Sequence, residues 1–210
     1  HGVGMTTAPP EPAQRPRGRP RHFDIARAQA QALALFEARG YDRVSLADMT
    51  QAMGINPPSF YAAFTSKSVL FAAVLDGYAT PWLEELRTAF ALERPVAQVL
   101  IDILQLAAHR FAAPGRDSRD ARRGGCLILE AGLNCSDPLV ADRIRKARLA
   151  LAAVLYRGIS RERPEEAPML TDYMMLQLTG LSALAREGVE VERLLAAARL
   201  AGVALPTAGQ

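Results

Sequence analysis

At 210 residues, half of them hydrophobic, the chain can bury one sizeable core or two small ones that share a boundary. No apolar run reaches the roughly 18 residues of a membrane span, no signal peptide is visible, and two cysteines in this length argue for a reducing, cytoplasmic setting without a disulfide framework. The net charge of +3 sits in residues 1–22, which carry Arg15, Arg17, Arg19 and Arg21 against Glu11, so the remaining 21 basic and 21 acidic residues balance.

In chain order, residues 1–22 are rich in Pro, Ala and Arg, a composition that stays disordered without a partner. His1–Gly4, ahead of Met5, look like an expression-tag remnant. Pro16-Arg17-Gly18-Arg19-Pro20 with Arg21 resembles the core of an AT-hook. An extended Arg-Gly-Arg is narrow enough to enter an A·T minor groove, where the potential is most negative. A plain basic tail, attracted only to phosphate, is the alternative. A first helix is capped by Asp24 and runs to about Arg39, with Ile25, Ala28, Ala32, Leu35 and Phe36 inward.

Ser45 and Asp48 have the spacing of a capping box, and Leu46, Met49 and Met53 form the apolar face of a short second helix. Gly54 ends it, because glycine enters the left-handed conformation without steric cost. Asn56 caps a third helix with Pro57 at its first position. Phe60 and Phe64 face inward, which leaves Pro57, Ser59, Tyr61 and Ala62 outward. Two short helices joined by a tight turn form a helix-turn-helix. Ser45 and Lys67 start helices, where free N–H groups and side chains meet phosphate. Asn56, Ser59 and Tyr61 can hydrogen-bond to DNA, while Pro57, Pro58 and Ala62 offer apolar contact.

A fourth helix begins near Ser66 and carries Leu70, Val74 and Leu75. Pro81 predicts a kink or break near 77–80, before Trp82, Leu86 and Phe90 resume the pattern. A fifth opens at Pro95 and shows Val96, Leu100, Ile103, Ala107 and Phe111. A sixth spans roughly Arg122 to Asn134, and Asp137-Pro138 opens a seventh that extends to about Ser160. Pro164 or Pro168 opens the eighth, Gly188 closes it, and a ninth runs from about Val191 to Ala201. Cys126 and Cys135, on one continuous helix, would lie about 13 Å apart and could not bridge. They read as buried small hydrophobes, with reaction of a single thiol left open. His109 has no metal-like partner in sequence, and no metal site or cofactor is expected.

The stretch from Phe36, Gly40, Tyr41 and Ser45 through Gly54, Ile55, Tyr61, Phe64, Lys67 and Leu70 resembles the DNA-binding domain of the tetracycline-repressor (TetR) family of bacterial transcription regulators. The likeness covers about fifty residues; the rest agrees in length and helical pattern. It implies an all-α fold of about nine helices, with an N-terminal three-helix head at 23–68 after the basic arm, and a C-terminal bundle for ligand binding and dimerisation at 69–210. It also implies that Tyr61 reaches DNA, against the alternative of packing on the first helix.

The same resemblance implies a homodimer on a palindromic operator in double-stranded DNA, most simply a repressor released by a small molecule. Candidate ligand residues are Tyr78, Trp82, Leu104, Phe111, Cys126, Glu130, Asn134, Tyr156, Met174, Met175, Gln177 and Leu178, placed between helices four and eight. Candidate dimer residues are Leu178, Gly180, Leu181, Ala183, Leu184, Leu194 and Leu195 on helices eight and nine. An architectural nucleic-acid binder that uses only the arm is the competing reading. Enzyme chemistry finds no nucleophile–base pair, metal-ligand spacing or phosphate loop in the sequence.

Overall fold

The computed structural model describes residues 24–112, 124–130 and 135–205. Among them no strand occurs, and the elements are α1 (Ile25–Arg39), α2 (Leu46–Met53), α3 (Pro57–Phe64), α4 (Lys67–Ala91), α5 (Val96–Phe111), α6 (Leu127–Glu130), α7 (Pro138–Ser160), α8 (Ala167–Arg186) and α9 (Val191–Val203). The basic arm with Arg15, Arg17, Arg19 and Arg21, and Asn134, lie outside the described residues. Among the described residues no single helix is long and apolar enough to cross a membrane.

Local chemistry sets the helix boundaries of the head. Asp24 accepts the Arg27 N–H at 3.1 Å and opens α1. Ser45 and Asp48 form both bonds of the capping box, with Asp48 N–H donating to Ser45 Oγ at 3.1 Å and Ser45 N–H to Asp48 Oδ2 at 2.8 Å. Gly54 is left-handed at φ 64°, ψ 36°, and Asn56 Oδ1 accepts the Ser59 N–H at 2.9 Å. Ser66 caps α4, accepting the Val69 N–H at 3.1 Å. Thr65 stands at φ 62°, and the next N–H, of Ser66, donates back to the Phe64 carbonyl at 2.6 Å. That tight γ-turn joins α3 to α4 at some cost in backbone strain.

The head is bound to α4 by aromatic rings. Phe36 and Phe71 meet edge to face at 5.0 Å between centroids, and Tyr41 meets Phe71 at 5.1 Å. Beyond the head, α4 packs on α7, α7 on α8, and α5 against both α8 and α9, while the short α6 touches α4, α7 and α8. The core runs without interruption from Phe36 and Met49 in the head to Leu194 and Ala198 in α9.

Several expectations need correction. α4 is unbroken across Pro81 for 25 residues. Pro81 and Gly77 are both exposed, so the Gly77 carbonyl that loses its helical partner faces the solvent side. Ala79, Trp82, Leu83 and Leu86 on the buried face hold the helix together. Ile25 is 52% exposed rather than inward, and Leu35 is only partly buried. The described part of α6 starts at Leu127, so Cys126 precedes it and Cys135 lies just before α7. The two cysteines therefore share no described helix; Cys126 is buried and Cys135 partly so. Pro168, rather than Pro164, lies in the first turn of α8, and α9 continues to Val203.

Gly158 of α7 is a close-approach position: a Cβ there would lie 2.3 Å from the Phe90 ring of α4. Gly158→Ala should therefore lower the thermal unfolding midpoint by the equivalent of about 1–3 kcal/mol. Gly77→Ala, in open space on α4, should leave the midpoint unchanged or raise it by up to about 1 kcal/mol. Equal effects of the two changes would mean that α4 and α7 do not pack as described.

Candidate nucleic-acid interface

The amphipathic split of α3 builds the outer face of the head. Phe60 is fully buried and Phe64 nearly so, and they fix the helix on the core. Asn56, Pro57, Pro58, Ser59, Tyr61 and Ala62 are all exposed. Tyr61 is 53% exposed, and its ring meets Phe60 edge to face at 5.6 Å. The sequence-predicted residues Asn56, Pro57, Ser59 and Tyr61 are thus brought together on one accessible surface.

Ser45 is also exposed, but its hydroxyl is committed to the capping box, donating to Asp48 at 2.6 Å. That bond, the Ser45 N–H and the Arg39 guanidinium at 2.8 Å hold the Asp48 carboxyl down at about 2. Lys67 begins α4. Its ammonium lies 4.0 Å over the Tyr41 ring, at the seam between head and body. Partial burial pulls its pKa down, against the opposing pull of Asp42, Cys135 and Asp137.

A cleft of about 730 Å³ runs beside α3, lined by Arg27 and Gln31 of α1, Gln51 of α2 and Ser59 of α3, among others. Arg27, Gln31 and Gln51 were not singled out from the sequence. The signal was the four-residue spacing of Arg27 and Gln31 on the polar side of α1.

The candidate ligand residues do not form one site. Tyr78, Trp82, Phe111 and Cys126 gather where α4, α5 and the start of α6 meet. Trp82 and Phe111 are edge to face at 6.2 Å, and the Arg110 guanidinium lies 5.0 Å over Trp82 and 5.7 Å over Tyr78. Burial pushes the pKa of both the Tyr78 hydroxyl and the Cys126 thiol up. Trp82 Nε1 is buried, with no hydrogen-bond partner among the described residues. Leu104, Met174 and Leu178 are fully buried core residues.

Glu130 belongs to a polar network. It accepts from Ser182 Oγ and Arg186 Nε of α8, and Arg186 Nη1 donates to the Glu37 carbonyl at 2.9 Å. Tyr156 is 45% exposed, and Met175 lines an outer groove between α7 and α8, so neither faces the interior cluster. Gln177 is partly exposed on α8. The short α6 lies against both α4 and α8. Among the described residues no group of His, Cys, Asp or Glu is arranged to hold a metal ion, and His109 is exposed.

The dimer expectation is corrected in part. Leu178, Leu181 and Leu194 are buried within the chain and present nothing to a partner. Leu195 is partly buried against the core, whereas Gly180, Ala183 and Leu184 are exposed on α8. The exposed apolar side chains of this region are Met169, Leu176 and Leu184 of α8 with Leu200 and Val203 of α9.

Residues 30–74 match the bacterial regulatory proteins of the tetR family. The HTH-type transcriptional repressor BdcR of Escherichia coli (strain K12) is 40% identical over 190 residues, covering 90% of this chain and 93% of BdcR. The HTH-type transcriptional repressor ComR of the same strain is 29% identical over 206 residues, covering 96% of each. Among solved structures, a cysteine mutant of the TetR family transcriptional regulator CifR, complexed with 26-bp double-strand operator DNA, superposes with a TM-score of 0.76. It is 32% identical and covers 90% of this chain and all of that one. With the helical fold of its described residues, the exposed outer side of α3 and these likenesses over 90% of its length, the chain belongs to the TetR family of bacterial DNA-binding transcriptional regulators.

Proposed function

We propose that this protein is a homodimeric repressor that reads a palindromic operator through α3 and leaves it when a small molecule binds the body. The observation that carries the DNA reading is the α3 surface itself, where Asn56, Ser59 and Tyr61 are exposed while Phe60 and Phe64 anchor the helix. No arginine stands on α3, so specificity comes from these three polar side chains and from apolar contact by Pro57, Pro58 and Ala62. Arg17, Arg19 and Arg21 in the arm add attraction to phosphate or the minor groove. Residues 23–68 act as the reading head and 69–210 as the sensing and pairing body. The relatives named repressors support the direction of regulation.

Pairing uses the outer face of α8 and α9. Met169, Leu176, Gly180 and Ala183 recur at spacings of seven, four and three, which places them along one stripe, with Leu184 beside it. Leu200 and Val203 extend the apolar area on α9. Burying such a patch is worth far more than leaving it wet. For the inducer, the cluster of Tyr78, Trp82, Phe111 and Cys126 supports a mostly apolar site with a few polar anchors.

Two variants test this reading. Tyr61→Ala should weaken binding to a selected operator by about tenfold, with thermal stability within about 0.5 kcal/mol of the parent, because the ring is largely outside the core. Unchanged affinity would remove α3 from the DNA contact. Replacing Leu176 and Leu184 together by Glu puts charge into the pairing face. The variant should be monomeric by light scattering, keep its helical circular dichroism and lose operator affinity. A variant that stays dimeric would put the twofold elsewhere.

A further inference from the structure

We propose that the short junction ahead of α7, residues 135–137, is a clasp that sets the orientation of the reading head, with Asp42 and Asp137 as its positioning residues. The inference rests on the DNA-binding role of the head and adds a route by which the body acts on it.

The clasp joins residues more than ninety positions apart. Tyr41 Oη donates to Asp137 Oδ2 at 2.9 Å. Ser136 donates to the Asp42 carboxylate three ways, from its N–H at 3.1 and 3.3 Å and from Oγ at 2.6 Å. The Lys67 ammonium closes the group over the Tyr41 ring. Hydrogen bonds to a carboxylate are about twice as strong as neutral ones, and the Tyr41 side of the clasp is shielded from water, with that residue 8% exposed.

Asp137 has two tasks at once. Its Oδ1 accepts the Leu139 and Val140 N–H groups and so caps α7, while its Oδ2 holds Tyr41. The start of α7 therefore cannot turn or slide without either losing its cap or pulling Tyr41. Tyr41 is in turn stacked on Phe36 and set edge-on to Phe71, so the pull reaches α1 and the root of α4. This gives the body a hold on the head that needs no bend in α4. The route matters because α4 runs unbroken through Pro81, where a hinge would otherwise be sought. A second tether, Arg186 to the Glu37 carbonyl, sits across a cleft of about 380 Å³ lined by Tyr41, Asp42, Glu130 and Arg186. The head thus has a polar hold on each side of the cleft, and of these two the clasp is the one tied to a helix cap that a shift in the body would disturb.

Coupling between sites is reciprocal, so DNA can serve as the effector before any inducer is known. The experiment measures amide hydrogen exchange in the full chain, with and without a duplex selected by the protein from random DNA. In the parent, the duplex should slow exchange at residues 57–64 and also at 138–144. In Tyr41→Phe combined with Asp42→Ala, the slowing at 57–64 should remain. The slowing at 138–144 should shrink by about fivefold or more. Ser136→Ala, a milder change for use if the double variant does not fold, should reduce it in part, and Ser136→Thr should restore it. Equal slowing at 138–144 in parent and variants, or none in the parent while 57–64 is protected, would overturn the clasp. Loss of protection at 57–64 in the parent would instead overturn the DNA-binding reading.

Discussion

The contact on which the rest of the molecule depends is the meeting of Phe36, Tyr41 and Phe71. These rings come from the end of α1, from the turn after it, and from the first turns of α4, with centroids 5.0 to 6.0 Å apart. Aromatic pairs in this geometry contribute about 0.5–1.5 kcal/mol each beyond the area they bury. Their arrangement is possible because Gly40, at φ 76° and ψ 161°, adopts a conformation almost closed to residues with a Cβ. The turn it makes folds Tyr41 back over Phe36. From that position the Tyr41 hydroxyl reaches Asp137 and its face receives Lys67. One cluster therefore closes the head, joins it to α4 and presents the polar edge on which the body takes hold.

The reading surface follows from equally local causes. Asn56 and Pro57 start α3, and two phenylalanines four residues apart decide which side is hidden. Pro57, Pro58, Ser59, Tyr61 and Ala62 are then outward, and the Tyr61 ring is left largely outside the core. The head carries no net charge, so in the proposed reading its phosphate attraction relies on helix N-termini, on cations such as Arg27, and on the arm.

What was legible in the sequence was mostly what is local. The capping box at Ser45 and Asp48, the left-handed Gly54 and the caps at Asn56 and Asp137 each depend on side chains within a few positions of the backbone they satisfy. The misread elements depend on packing from afar. Leucines occupy 170, 176, 178, 181 and 184 of α8, nearly all round the helix, so spacing alone could not say which face is buried. The structure buries 170, 178 and 181 and exposes 176 and 184. Pro81 predicted a break by a sound local rule, but the buried residues on the opposite face kept α4 continuous. Tyr156 had the composition of a pocket residue and the location of a surface one. The clasp was invisible because nothing near Tyr41 in sequence announces Asp137.

The central claim, that two copies of α3 read one palindrome, is most directly tested by footprinting on DNA selected by the protein. The account predicts two protected half-sites related by a dyad, about one helical turn or slightly more from centre to centre. A single asymmetric patch, or a continuous coat that spreads with protein concentration, would contradict it and favour an architectural binder acting through the arm.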